Sequence, residues 1–293
     1  MSQSPQGPSD GQGVYEECRL SDHACLDRLK HIADGGFKLV LNYNSLVGSS
    51  AQQLLAYADQ AQAAGVKIIW AMHTSGFWDG TDLTTLYPAL AAHCNCSDNT
   101  SFIEYLITLL KDHPATWGYY VGDELHPSVH TQWKTYADIV QQLDPDHPRL
   151  IVQGTSANSL GNTTLSLFAD GVEVLGQDYY PIGVSYLVPY TQTGAVARDV
   201  QSLADQAGRQ SAMVLQAFSW THYYPPARCS PWPGCAPYPT LEQMQQMLDM
   251  VLQSSHPRLI LWYSYFDILR SDDPTGHWND LVRAIGTAIG HDG

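Results

Sequence analysis

Charge is scarce in this chain. Charged residues occupy 15% of its 293 positions, against about 25% in an ordinary globular protein, and only 14 Lys and Arg face 29 Asp and Glu. At a formal net charge of -15, little is available to neutralise phosphates, which excludes nucleic acid and anionic membrane surfaces as partners. No run of about 18 apolar residues occurs, so no membrane insertion is expected. An apolar stretch is also missing from the N-terminus, MSQSPQGPSDGQG. Residues 1–13 therefore read as the flexible start of a mature chain whose export signal has been removed, with residues 14–293 as one domain.

Cysteine is limited to six residues, in three local groups: Cys18 with Cys25, Cys94 with Cys96, and Cys229 with Cys235. An even count in local groups favours disulfides and a secreted or extracytoplasmic location. The spacing of Cys94 and Cys96 leaves open whether these two bridge each other. Repeated CxxC or HxxxH spacing is lacking, so no metal site is expected. No Gly-rich turn follows Val14 or Phe37, which counts against the doubly wound, nucleotide-binding sheet.

Apolar residues are plentiful at 44%, enough for a sizeable core, and the 17 Tyr and 8 Trp offer rings with a polar handle, suited to sugar faces as well as to packing. Short apolar runs alternate with longer stretches of helical period, the pattern of βα units on a parallel sheet. Strands are predicted at Val14 to Glu16, Phe37 to Asn44, Lys67 to His73, Thr116 to Glu124, Arg149 to Gly154, Val172 to Tyr180, Ala212 to Trp220 and Leu259 to Asp267. Eight such units in a chain of 293 residues predict an α/β fold, a single (β/α)8 TIM barrel with long βα loops that are in part stapled by disulfides.

Active groups in such barrels sit at the C-terminal ends of the strands. Here those ends carry Glu16, Asn42 and Asn44, His73, Asp123 and Glu124, Gln153, Gln177 and Asp178, Gln216, and then Tyr263, Tyr265 and Asp267, with Trp70, Trp78, Trp220 and Trp262 nearby. A polar cleft with aromatic walls is expected. The sharpest motif is WGYYVGDELH, residues 117–126. Two adjacent carboxylates resist joint ionisation, which raises the pKa of one and keeps a proton at hand near neutral pH; a helix N-cap pair is the plainer alternative. Asp178, in GQDYYP, supplies a third carboxylate two strands away. The loop from Ser219 to Thr240 adds Trp220, Tyr223, Tyr224 and Trp232 as stacking surfaces.

On these residues the chain resembles the (β/α)8 glycoside hydrolases, whose catalytic Glu ends strand four. In their large retaining clan that Glu belongs to an Asn-Glu pair. Here Asp123 stands in place of the Asn, and Glu124 matches the Glu. The clan's nucleophilic Glu at strand seven has no counterpart in Leu215-Gln216-Ala217-Phe218. Gly122-Asp123-Glu124 is also similar to the strand-four motif of hexosaminidase and chitinase-like barrels, in which the substrate's acetamide is the nucleophile, the Asp orients it and a Tyr supports it. The resemblance implies a glycosidase acting on an oligo- or polysaccharide, without a cofactor. Glu124 would be the general acid/base, Asp123 would tune it or orient substrate, and Asp178 would be nucleophile or base. Asn42, His73, Tyr180, Gln216, Trp220, Trp262 and Tyr263 would bind sugar. The rivals are a substrate-assisted N-acetylhexosaminidase and a non-catalytic carbohydrate-binding barrel.

Overall fold

The computed structural model describes residues 7–72, 75–154, 162–183, 190–223 and 238–289. Eight parallel strands close into one barrel in sequence order: β1 (Gln12–Glu16), β2 (Leu39–Asn42), β3 (Lys67–Ala71), β4 (Thr116–Asp123), β5 (Arg149–Gln153), β6 (Val174–Tyr179), β7 (Gln210–Gln216) and β8 (Leu259–Tyr263). The closing seam pairs Gln12 with Ile260 and Val14 with Trp262. Around the barrel run α1 (Ala24–Asp34), α2 (Ala51–Ala64), α3 (Ser75–Trp78), α4 (Leu83–Leu86), α5 (Pro88–Cys94), α6 (Asn99–Leu110), α7 (His130–Leu143), α8 (Asn162–Leu167), α9 (Thr193–Ala207), α10 (Leu241–Ser254), α11 (Tyr265–Leu269) and α12 (Pro274–Ile289). The connection from β3 to α6 is built from the short helices α3 to α5. Among the described residues no helix is long and apolar enough to cross a membrane.

The strands are apolar on both faces because both are buried. Leu39, Leu41, Ile69, Ala71, Val152, Val174, Val214, Leu259 and Leu261 fill the barrel interior, while Val40, Ile68, Trp70, Ile151, Leu175, Met213 and Trp262 pack outward against the helices. The helices answer with apolar stripes. In α2, Leu54, Tyr57, Ala58 and Ala61 fall at helical spacing and are buried. Its start is fixed by a capping box between Ser50 and Gln53, and its end by Gly65 at φ 77°, a left-handed turn that suits glycine.

All eight strands differ from expectation at one end or both, and the first and last show why. The barrel begins at Gln12, not Val14, because the buried Gln12 side chain accepts the Trp262 indole N–H at 2.9 Å. Residues just before it are also tied down: Asp10 accepts from Arg258 at 2.6 Å and from the Trp117 indole at 2.8 Å. Strand β8 stops at Tyr263, since the Ser264 hydroxyl accepts the Asp267 N–H and starts α11, which takes Asp267 off the strand end. Disulfides join Cys18 to Cys25 and Cys94 to Cys96, stapling the loops after β1 and β3. Cys229, Cys235, Tyr224 and Trp232 lie outside the described residues.

Candidate active site

Strand alternation decides which polar residues reach the barrel mouth. On β6, Val174 lies inside the barrel, so Asp178 and then Tyr180 share its face. On β8, Leu259 and Leu261 point inward, and so does Tyr263. On β1 and β2 the same parity brings in Tyr15 and Tyr43. Strand β4 breaks the rule. Its pairing with β5 shifts between Tyr120 and Gly122, a bulge that puts Tyr120 and Asp123 on one side although they are three residues apart.

These residues meet in a cleft of about 190 Å³ lined by Asp123, Glu124 and Asp178 together with Tyr43, Tyr180, Phe218, Trp220, Tyr223 and Tyr263. All three sequence-selected carboxylates therefore face one cavity. Asp123 is clamped: the Tyr120 hydroxyl donates to Oδ1 at 2.6 Å and the Tyr43 hydroxyl to Oδ2 at 2.9 Å. Burial pushes its carboxyl up to about 6, the neighbouring Glu124 charge pushes the same way, and the two tyrosine donors oppose the rise. Its charge in turn adds to the burial that holds the Tyr120 and Tyr43 hydroxyls well above the usual phenol range.

Glu124 has the opposite surroundings. It is exposed to the cleft, and its carboxyl has no hydrogen bond or ion pair among the described residues. Its backbone sits at φ 45°, in the left-handed region where a residue with a Cβ is strained, and its N–H is still held by the Val152 carbonyl at 2.9 Å. That turn swings the side chain off the strand and over Gly154, where a Cβ would collide with the Glu124 carboxyl. Asp178 is buried on the other side of the cleft, and its charge raises the Tyr180 hydroxyl further after burial has done most of the work.

The walls are aromatic. Phe218 packs edge-on against Tyr180, Tyr223 and Tyr263 at ring separations of 5.2, 5.2 and 5.6 Å and against Trp220 at 4.9 Å. A carboxylate outside the cleft holds this wall: Asp267 accepts from the Tyr223 hydroxyl at 2.8 Å and lies 3.0 Å from His222 Nδ1.

Of the expected sugar-binding residues, Tyr180, Trp220 and Tyr263 line the cleft. Three others do not. Trp262 lies between the inward Leu261 and Tyr263, so it faces the helices, fully buried, with its indole on Gln12. Asn42 also points outward and bridges the Cys18 carbonyl at 2.9 Å and the Asn44 N–H at 3.0 Å. Gln216 is buried, and its amide is spent on both backbone groups of Ile182 and on the Phe218 carbonyl. His73 lies outside the described residues. Tyr43, Tyr120, Tyr15 and Phe218 were not singled out from the sequence. No alternation marks Tyr15 or Tyr43 as inward, because β1 and β2 are buried on both faces, and the bulge hides Tyr120.

No family model matches the chain, and no curated protein matches it. Solved structures do resemble it. A Bacteroides thetaiotaomicron protein provisionally assigned as an α-L-fucosidase superposes at a TM-score of 0.65 with 12% identity, over 98% of this chain and 97% of that one. The endo-β-1,4-mannanase of Thermotoga petrophila gives 0.62 at 10% identity, over 100% and 79%. A thermostable chitinase domain from Pyrococcus furiosus gives 0.62 at 14% identity, over 99% of each chain. The chain thus shares the barrel fold of glycoside hydrolases.

Proposed function

We propose that this protein is a glycosidase that cleaves an oligo- or polysaccharide, with Glu124 as general acid/base. One observation carries the reading: a carboxyl with no hydrogen bond or ion pair among the described residues, on a left-handed backbone turn, stands in an aromatic-walled cleft with two other carboxylates. Strain of this kind is retained where function needs it. Protonated Glu124 gives its proton to the glycosidic oxygen as the bond to the anomeric carbon breaks and the leaving sugar departs as an alcohol. Asp178 then either bonds to that carbon, to be displaced by water that Glu124 deprotonates, or itself takes the proton from the attacking water. Tyr180, Tyr263 and Trp220 hold the sugar rings. The bridged cysteines fit work in a secreted or extracytoplasmic setting.

A second reading has its own support. Asp123 is held at both oxygens by tyrosines, and β7 ends in the locked Gln216 without a carboxylate. That arrangement suits substrate-assisted cleavage of an N-acetylhexosamine linkage, in which Asp123 orients the acetamide and Asp178 only binds. Paired aryl glycosides with and without the N-acetyl group separate the two; equal turnover of both excludes the substrate-assisted route.

The test of either is Glu124→Gln, assayed on aryl glycosides and on mannan, xylan and chitin oligosaccharides. Loss of the proton donor should lower kcat/KM by about 10²–10⁴-fold with an unchanged Tm. Equal turnover by the two proteins would remove Glu124 from the chemistry. Sugar binding without turnover in either would mark a carbohydrate-binding barrel.

A further inference from the structure

Beside the cleft lies a second pocket of about 500 Å³, lined by Arg19, Arg28, Arg270, Glu17, Asn44 and Phe266 among others. It shares a wall with the cleft. Tyr43 lines one and Asn44 the other, and the rings of Tyr263 in the cleft and Phe266 in the pocket pack edge-on at 5.5 Å. The pocket holds three of the chain's 14 basic residues.

Its acidic neighbours are already engaged. Glu17 pairs with Arg270, whose guanidinium also lies over the Phe266 ring at 5.4 Å. Asp22 accepts the Ala24 N–H at 3.0 Å at the start of α1. Glu16 is buried behind Arg28 and takes only its Nη1, at 3.0 Å. Among the described residues Arg19 alone of the three arginines has no ion pair, and Arg28, paired with Glu16 through one nitrogen, has N–H groups to spare. The remaining N–H groups of Arg28 and the whole exposed guanidinium of Arg19 have no partner among the described residues. A guanidinium fork is shaped for carboxylate or sulfate oxygens, and Asn44, whose amide NH₂ is fixed on the Glu17 carbonyl at 2.9 Å, keeps its oxygen for a hydroxyl.

We propose that this pocket binds the anionic substituent of an acidic sugar unit, a uronate carboxylate or a sulfate ester, on the glycan whose linkage is cut in the adjoining cleft. The proposal rests on the glycosidase reading for its substrate class. The whole-chain charge of -15 repels a polyanion, so the fitting substrate is a mainly neutral glycan with isolated acidic units. The pocket sets the register of cleavage: the bond cut lies a fixed distance along the chain from the acidic unit.

Calorimetric titration tests this with the Glu124→Gln protein and cellotetraose, xylotetraose and chitotetraose. Each is used bare, with one glucuronate unit, and with one sulfate ester. An acidic form should bind about tenfold tighter than its bare parent, the size expected of one charge-assisted contact at a part-exposed site. Preference for glucuronate or for sulfate identifies the natural substituent. Arg19→Ala should abolish that preference and leave bare binding unchanged. Arg28→Gln should do the same, with Tm followed because Glu16 loses its partner. The proposal is overturned if acidic and bare forms bind alike, if none binds, or if the preference survives both substitutions. Its failure is distinguishable from that of the glycosidase reading. Preference without turnover by the native protein sinks only the latter, and turnover without preference sinks only the pocket.

Discussion

Asp123 works against the fold at neutral pH. Its carboxyl is raised from an ordinary 3.8 to about 6, so the folded state holds the proton more tightly than the unfolded one. Stability therefore falls as pH rises from about 4 to above 6 and returns on acidification. A shift of that size corresponds to at most about 3 kcal/mol, and the opening of Asp123 to the cleft reduces it. Asp123→Asn removes the ionisation and can keep one tyrosine donor on its carbonyl. The variant should melt above the native protein at about pH 7.5, with the gap closing below about pH 4, while turnover drops because the group facing Glu124 has changed. Melting curves across that range check this, and a gap independent of pH would show that Asp123 is not ionising where burial places it. Tyr120 shows why such a site is only half legible in a sequence. The Gly-Asp-Glu motif marks the carboxylates, but the two tyrosines that clamp one of them are distant in sequence or on the wrong parity.

The ends of β4 and β5 act as one unit. The bulge at Tyr120 and Gly122 delivers Asp123, the left-handed turn delivers Glu124, and β5 contributes by stopping at Gly154, which leaves room for the Glu124 carboxyl. Gly154→Ala puts a methyl group where that carboxyl lies and should move it by a fraction of an ångström to an ångström. Displacement on this scale lowers rates by about 10²-fold, so kcat should fall by roughly 10–100-fold with KM and Tm little changed. A variant with native kcat would mean that Glu124 acts from another position. Elements of this kind separate what was readable from what was not. The strands were legible as apolar runs because both faces are buried, yet that same burial erases the alternation that tells inside from outside. Trp262 and Asn42 were therefore placed in the site, although each lies one residue from the tyrosine that is there.

Across the whole molecule, chemistry and closure occupy opposite ends of the barrel. The cleft lies at the C-terminal ends of the strands, where the loops are long. At the other end short polar ties join strand beginnings: Arg149 with Glu173, Tyr119 with Asp144, and Asp10 with Arg258 and Trp117. The last of these spans the seam between the first and last strands, because Asp10 also gives its backbone N–H to the Arg258 carbonyl at 2.8 Å. Composition alone assigned Asp10 to a flexible tail, since Ser, Gln, Gly and Pro dominate there and nothing local shows that an Arg some 250 positions away returns beside it. Asp10→Ala should remove two charge-assisted bonds, leave the Trp117 indole N–H without its acceptor, and destabilise the protein by about 1–3 kcal/mol. Asp10→Asn keeps an acceptor for that indole and should lose less. Thermal melts of both variants beside their kcat on one substrate make the test. A lowered Tm at native kcat is expected, because the tie is far from Glu124. Lost kcat at native Tm would mean that the two ends of the barrel are coupled.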